Sequence, residues 1–199
     1  MSIHYRDTRN ASSELTEGSL RNHFLIAMPG LKDTAFAHTI TYICEHGSDG
    51  AMGVVVNNAL PIDVGEILEQ MELSDQANIA HHPVLAGGPV QTERGFVLHT
   101  GEHEFQSTLA VSPRVKVTSS KDVIEALAGG VGPDNFLIAL GYAGWEPGQL
   151  EQEIANNAWL TLPADPDILF KTPMEQRWAL ASRQLGVDLN LISSTAGHA

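Results

Sequence analysis

The stretch HTITYIC (His38–Cys44), GSDG (Gly47–Gly50) and AMGVVV (Ala51–Val56) decides the fold class of this chain. Both flanks are rich in β-branched and aromatic residues, which suit the pleated, half-buried surface of a strand. The tetrapeptide between them supplies residues that tolerate φ > 0, so the segment reads as a β-hairpin with a four- or five-residue loop. Within the first flank, side-chain alternation places Cys44 and His46 on one face and Glu45 on the other.

Upstream, HFLIAM (His23–Met28) is a short apolar run stopped by Pro29-Gly30, a buried strand and a turn. Residues 1–18 are polar and lack periodicity, so they are expected to form a loosely attached or disordered arm, with one domain spanning 19–199. Downstream, the period switches to helical over Asp63–Leu73, where Val64, Ile67, Leu68 and Met71 share a face. Val84–Ala86, Gly95–Thr100, Ser107–Val111 and Val115–Thr118 read as strands between turns. Ser119–Asp122 has capping-box spacing before a helix that Gly129-Gly130 ends. NFLIAL (Asn135–Leu140) is a continuous apolar strand expected at the centre of its sheet, and Gly141–Gly144 reads as a tight turn after it. A helix over Gln149–Asn157, a strand over Trp159–Leu162, a turn bracketed by Pro163 and Pro166, and a helix over Met174–Leu185 complete the chain. Strands and helices thus intermix without strict alternation, which predicts an α+β fold with a mixed, mainly antiparallel sheet and about four helices.

Composition narrows the function. Among 199 residues there is one cysteine, so neither a disulfide framework nor a multi-Cys metal motif is available. No apolar run approaches the roughly 18 residues of a membrane span, and MSIHYRDTRNASSELTEGS has no apolar signal core; a cytoplasmic protein is expected. The net charge is −13, and residues 1–21 carry three charges of each sign, so all of the excess lies in 22–199. Such a body repels phosphate backbones and anionic membranes, which argues against direct nucleic-acid binding and membrane association.

No residue pattern carries a decisive chemistry. Gly87-Gly-Pro-Val90 has no Lys-Ser/Thr after it, and Gly141–Gly144 lacks the third glycine and the distal acid of a dinucleotide motif, so both read as structural. Glu45-His46, His81-His82 and His99 with Glu102 and His103 are metal-ligand types without metal-site spacing, so no metal or cofactor is expected. Cys44 lies in an apolar run and reads as a small hydrophobe, and no Gly-x-Ser-x-Gly elbow exists. The carboxylate pairs Glu66/Glu69 and Glu151/Glu153 lie on helices, where charged faces are usually just solvated.

Taken in order, HFLIAMP (23–29), YICEH (42–46), GAMGVVVN (50–57), GGPV (87–90), RGFVLH (94–99), GYAGWEPGQLEQEI (141–154), NAWL (157–160), ILFKTP (168–173), RW (177–178) and GHA (197–199) resemble the AlgH/YqgE family of small, largely uncharacterised bacterial proteins. The resemblance covers residues 19–199 and implies a bifurcated, partly barrel-like sheet flanked by helices. Some members are labelled transcriptional regulators connected with alginate production, a label that carries over no catalytic or DNA-contacting residue. The resulting expectation is a non-enzymatic protein that acts by binding a protein partner or small ligand, with a regulatory role as one form of that. The alternatives are a DNA-binding regulator built on Arg94, Arg114, Lys116 and Lys121, and an enzyme with a polar pocket at the end of the hairpin. The pocket residues would be Glu45, His46, Asn57 and His99, with Trp145.

Overall fold

The computed structural model describes residues 18–31 and 35–187, in which ten strands form one curled, mostly antiparallel sheet. The strands are β1 (His23–Ala27), β2 (Ile40–Gly47), β3 (Gly50–Val55), β4 (Ala59–Asp63), β5 (Pro83–Ala86), β6 (Val90–His99), β7 (Thr108–Ala110), β8 (Lys116–Thr118), β9 (Phe136–Trp145) and β10 (Trp159–Pro163). Five helices flank them: α1 (Val64–Gln70), α2 (Asp122–Ala128), α3 (Gln149–Ala155), α4 (Pro166–Phe170) and α5 (Arg177–Gln184). The fold is α+β with the sheet closed to a half-barrel, as expected. The expected arm, Gly18 excepted, lies outside the described residues.

The sheet runs β10-β1-β2-β3-β9-β6-β8-β7, and it forks on β9. One edge of β9 carries β6. The other edge is divided, with β5 running parallel along Ile138–Leu140 and β3 antiparallel along Ala143–Trp145. Gly141, at φ +77°, stands at the split. There the backbones interlock: a Cβ on Gly141 would lie 2.4 Å from the Gly88 carbonyl oxygen, and one on Gly88 would lie 2.1 Å from the Tyr142 carbonyl carbon. The two glycine motifs are therefore one feature, a close crossing of main chains. Gly141–Gly144 is not a turn, as its glycines suggested; it lies within β9, because glycine in a strand interior permits a bulge and close approach as readily as it ends the strand.

The hairpin is tighter than expected, with Gly47 opposite Gly50 and only Ser48 and Asp49 between them. The register shifts between Ile43 and Glu45, so Cys44 is an extra residue in β2. This reverses the expected alternation. Cys44 packs inside the half-barrel with Tyr42 and Val54, while Glu45 faces Met52, which belongs to the same interior. His46 falls opposite Ala51, on the outer face under α3.

Other differences have local causes. β4 was missed because Pro61 interrupts its pattern, although it pairs only with β5. Pro166 opens α4 rather than closing a turn, with Asp165 accepting the Asp167 amide, since proline is pre-organised for the first turn of a helix. Ser119 does not cap α2; its amide donates to the Ser107 carbonyl, and Asp122 accepts instead from Gln106 N–H and the Ser120 hydroxyl.

Candidate functional site

The interior of the half-barrel is filled by Phe24, Ile26, Tyr42, Val54, Leu98, Trp178 and their neighbours. At the end nearest the β2–β3 turn the filling stops, leaving an open cleft of about 1120 Å³. Its floor is apolar: Met52, Val90, Phe96, Leu109, Val117 and Tyr142. One wall is the hairpin end with Glu45 and Asp49, joined by Glu146; the other carries Arg21, Arg94, Ser107 and Ser119. Mouths of β-barrels are common ligand sites because the curled sheet supplies concavity there.

The two arginines are held by neutral acceptors. Arg94 reaches over the Phe96 ring, 5.3 Å from its centroid, and donates to Ser119 Oγ at 3.1 Å and Gln91 Oε1 at 3.3 Å. Arg94 and Phe96 are two apart on β6, so strand alternation puts both on the cleft face. Arg21 donates to the carbonyls of Val111 and Ala110, tying the start of β1 to the edge strand β7. Among the described residues neither guanidinium pairs with a carboxylate.

Of the five residues proposed from sequence, only Glu45 presents its side chain to the cleft. His46 lines it, but its ring turns to the outer face. His46 Nδ1 accepts the Leu20 amide at 2.9 Å, which leaves Nε2 as the protonated nitrogen, donating to Glu151 Oε1 at 2.8 Å. A catalytic base needs a free ring nitrogen, and His46 has none. The bond from His46, after that from its own backbone amide, holds the Glu151 carboxyl below the usual carboxylate range. Trp145 also lines the cleft, yet its indole lies on the outer face with Phe36 and Trp159. Asn57 closes the far end of the β2–β3 pair, accepting the Ile40 amide and donating to the His38 carbonyl. His99 is fully buried and bonded to Thr118. The structure therefore brings Glu45, His46 and Trp145 to one place and leaves Asn57 and His99 elsewhere.

The carboxylates of α3 are tethers. Glu153 Oε2 accepts both the Trp145 indole N–H at 2.9 Å and the Trp159 indole N–H at 2.8 Å, while Oε1 accepts from Gln149. Both tryptophans are buried, so their N–H groups have no water to turn to. Glu153→Gln is expected to cost about 1–2 kcal/mol, because a neutral amide accepts more weakly and turns its NH₂ toward the Gln149 donor. Urea unfolding followed by tryptophan fluorescence checks this; an unchanged midpoint would show that the indoles need no anion.

Cys44 is fully buried, and burial pushes its thiol far above the usual range, so it is an unreactive filler. Among the described residues no three His, Cys, Asp or Glu side chains converge to hold a metal ion, and no helix is long and apolar enough to cross a membrane. Arg94, the residue that anchors the positive wall, was legible in RGFVLH only through its i, i+2 spacing to Phe96.

Comparison with known proteins places these features. A family model described as AlgH-like matches residues 24–190. A UPF0301 protein of Saccharophagus degradans is 56% identical over 181 residues, covering 91% of this chain and 89% of that protein. A UPF0301 protein of Thioalkalivibrio sulfidiphilus is 56% identical over 189 residues, covering 95% and 99%. The solution structure of the AlgH protein from Pseudomonas aeruginosa superposes with a TM-score of 0.76 at 48% identity, over 96% of this chain and all of that one. A Corynebacterium diphtheriae protein at 19% identity and a TM-score of 0.67, covering 86% of this chain and 90% of its own, shares the fold.

Proposed function

The chain belongs to the AlgH-like family, and from that premise we propose that it works as a binding protein whose ligand occupies the mouth of the half-barrel. One observation carries the reading: six apolar side chains form an unfilled floor between charged walls in a cleft of about 1120 Å³. Of the groups nearby suited to nucleophilic or base chemistry, His46 has both ring nitrogens engaged and Cys44 is buried, and the exposed carboxylates of Glu45, Asp49 and Glu146 have neither beside them as a free partner. Such a site recognises rather than transforms. A regulatory role would follow from ligand occupancy altering the exposed hairpin end and β7 edge that frame the mouth, in a protein working in the cytoplasm.

A fragment screen by ¹H–¹⁵N NMR on the full chain tests the reading. Hits should shift the amides of Met52, Phe96, Leu109, Val117 and Tyr142 together. Hits scattered over the surface would overturn it. So would a mixed-sequence DNA duplex, at about 50 mM salt where phosphate contacts are strongest, that shifted Arg94, Arg114, Lys116 and Lys121 instead.

A further inference from the structure

We infer that the mouth of the half-barrel selects a small amphiphilic monoanion, with its carboxylate or similar head group at Arg94 and Arg21 and its apolar body on the floor. This rests on the reading above and specifies its ligand. Each guanidinium has five N–H donors in a fixed fork. Among the described residues Arg94 spends two on Ser119 and Gln91, and Arg21 two on the carbonyls of Val111 and Ala110, which leaves three donors on each. All four acceptors are neutral. They fix the orientation of the forks without neutralising their charge, which is the preparation that bidentate recognition of an oxyanion requires.

The rest of the cleft narrows the class. Phe96 beneath Arg94 and Tyr142, whose rings stand edge to face 5.7 Å apart, continue the floor away from the head-group position with Met52, Leu109 and Val117. An apolar body there would leave water against the side chains of Met52, Val90, Phe96, Leu109 and Val117 and the ring of Tyr142. Glu45, Asp49 and Glu146 on the opposite wall are exposed carboxylates and would repel a second negative charge. The cleft therefore suits one anionic group, not a polyphosphate. The net charge of −13 acts in the same direction, since it penalises each added ligand charge.

The test uses three probes of one chain length against the full protein: octanoate, octanol and octylammonium, each titrated by ¹H–¹⁵N NMR. Octanoate is expected to shift Arg94, Phe96, Leu109 and Val117 more tightly than octanol does. Arg94→Gln, an exposed position where the fold is expected to persist, should weaken octanoate at least about tenfold and leave octanol unchanged. Octanol binding as well as octanoate, or octanoate binding indifferent to Arg94→Gln, would overturn the head-group assignment while the mouth stays a binding site. A preference for octylammonium would overturn it in favour of the carboxylate wall. No shift at the mouth with any probe would overturn both readings.

Discussion

Replacing Gly141 by alanine is expected to remove about 3–5 kcal/mol of stability, a large share of what a domain of this size has. Two costs combine. Gly141 has φ +77°, a left-handed conformation that strains any residue with a Cβ by about 1–3 kcal/mol. The added carbon would also sit 2.4 Å from the Gly88 carbonyl oxygen and 3.1 Å from that of Val90. Those atoms are backbone in the fork itself, so relief means parting β9 from the strands on either side. Gly88→Ala meets the same crossing from the other chain and should be comparably severe. Gly95→Ala is the control, because a Cβ there meets nothing within 4 Å and needs no left-handed backbone. It should change stability by less than about 1 kcal/mol in either direction. Urea midpoints for the three variants decide the matter; Gly141→Ala folding as stably as Gly95→Ala would refute the interlock.

Removing the Thr118 hydroxyl is expected to cost about 2–3 kcal/mol, because it breaks a buried chain of hydrogen bonds with only one consistent direction. His99 Nδ1–H donates to the Thr100 carbonyl, so Nε2 must accept from the Thr118 hydroxyl at 2.8 Å. Thr118 then accepts from Thr108 at 2.8 Å, and Thr108 accepts the Phe105 amide. Thr118→Val leaves His99 Nε2 without a donor and the Thr108 O–H without an acceptor, while Thr108 keeps the Phe105 amide. The same chain makes stability depend on pH. Burial first, then the nearby charges of Lys116 and His103, hold His99 below its usual range, with the bond to Thr100 acting the other way. The unfolded chain therefore binds this proton more readily than the folded one. The contribution is complete above the unfolded value, about 6.5, and is lost as pH falls through the folded value. Asp75, Asp122 and Glu151, also held low, lose their contributions in a separate window below about pH 4. Unfolding free energies measured from pH 7 to pH 5 should fall for the natural chain and fall less for His99→Asn. Parallel slopes would show that His99 is not the group responsible.

How far the sequence could be read depended on the range of the interaction concerned. β1, the hairpin, α1 and α3 were legible because side-chain periodicity is a local consequence of which face meets the core. The central place of β9 followed from its unbroken apolar run, which only a strand covered on both faces tolerates. Its C-terminal half was misread because a glycine's role depends on what lies across from it: at Gly141 that is Gly88, 53 residues away in the chain. The candidate site was read less well than the fold. Alternation alone put His46 beside Cys44, but one bulged residue in β2 sent the ring to α3 and Glu45 to the cleft.

From residue types and spacing alone came the α+β class, most strands and helices, the acidic charge and the lack of a multi-cysteine framework. Composition and local periodicity determine such properties, and each can be read without knowing what lies opposite. The fork at Gly88 and Gly141, the Glu153 carboxylate shared by two indoles, the His99–Thr118–Thr108 chain and the mouth with its two arginines were decided by tertiary structure. Three of them join residues ten or more positions apart, and Glu153 on α3 joins indoles of two different strands, β9 and β10; each depends on register and curvature. Those emerge only when the whole sheet closes, because a shift of one residue in one strand exchanges the faces of every side chain beyond it.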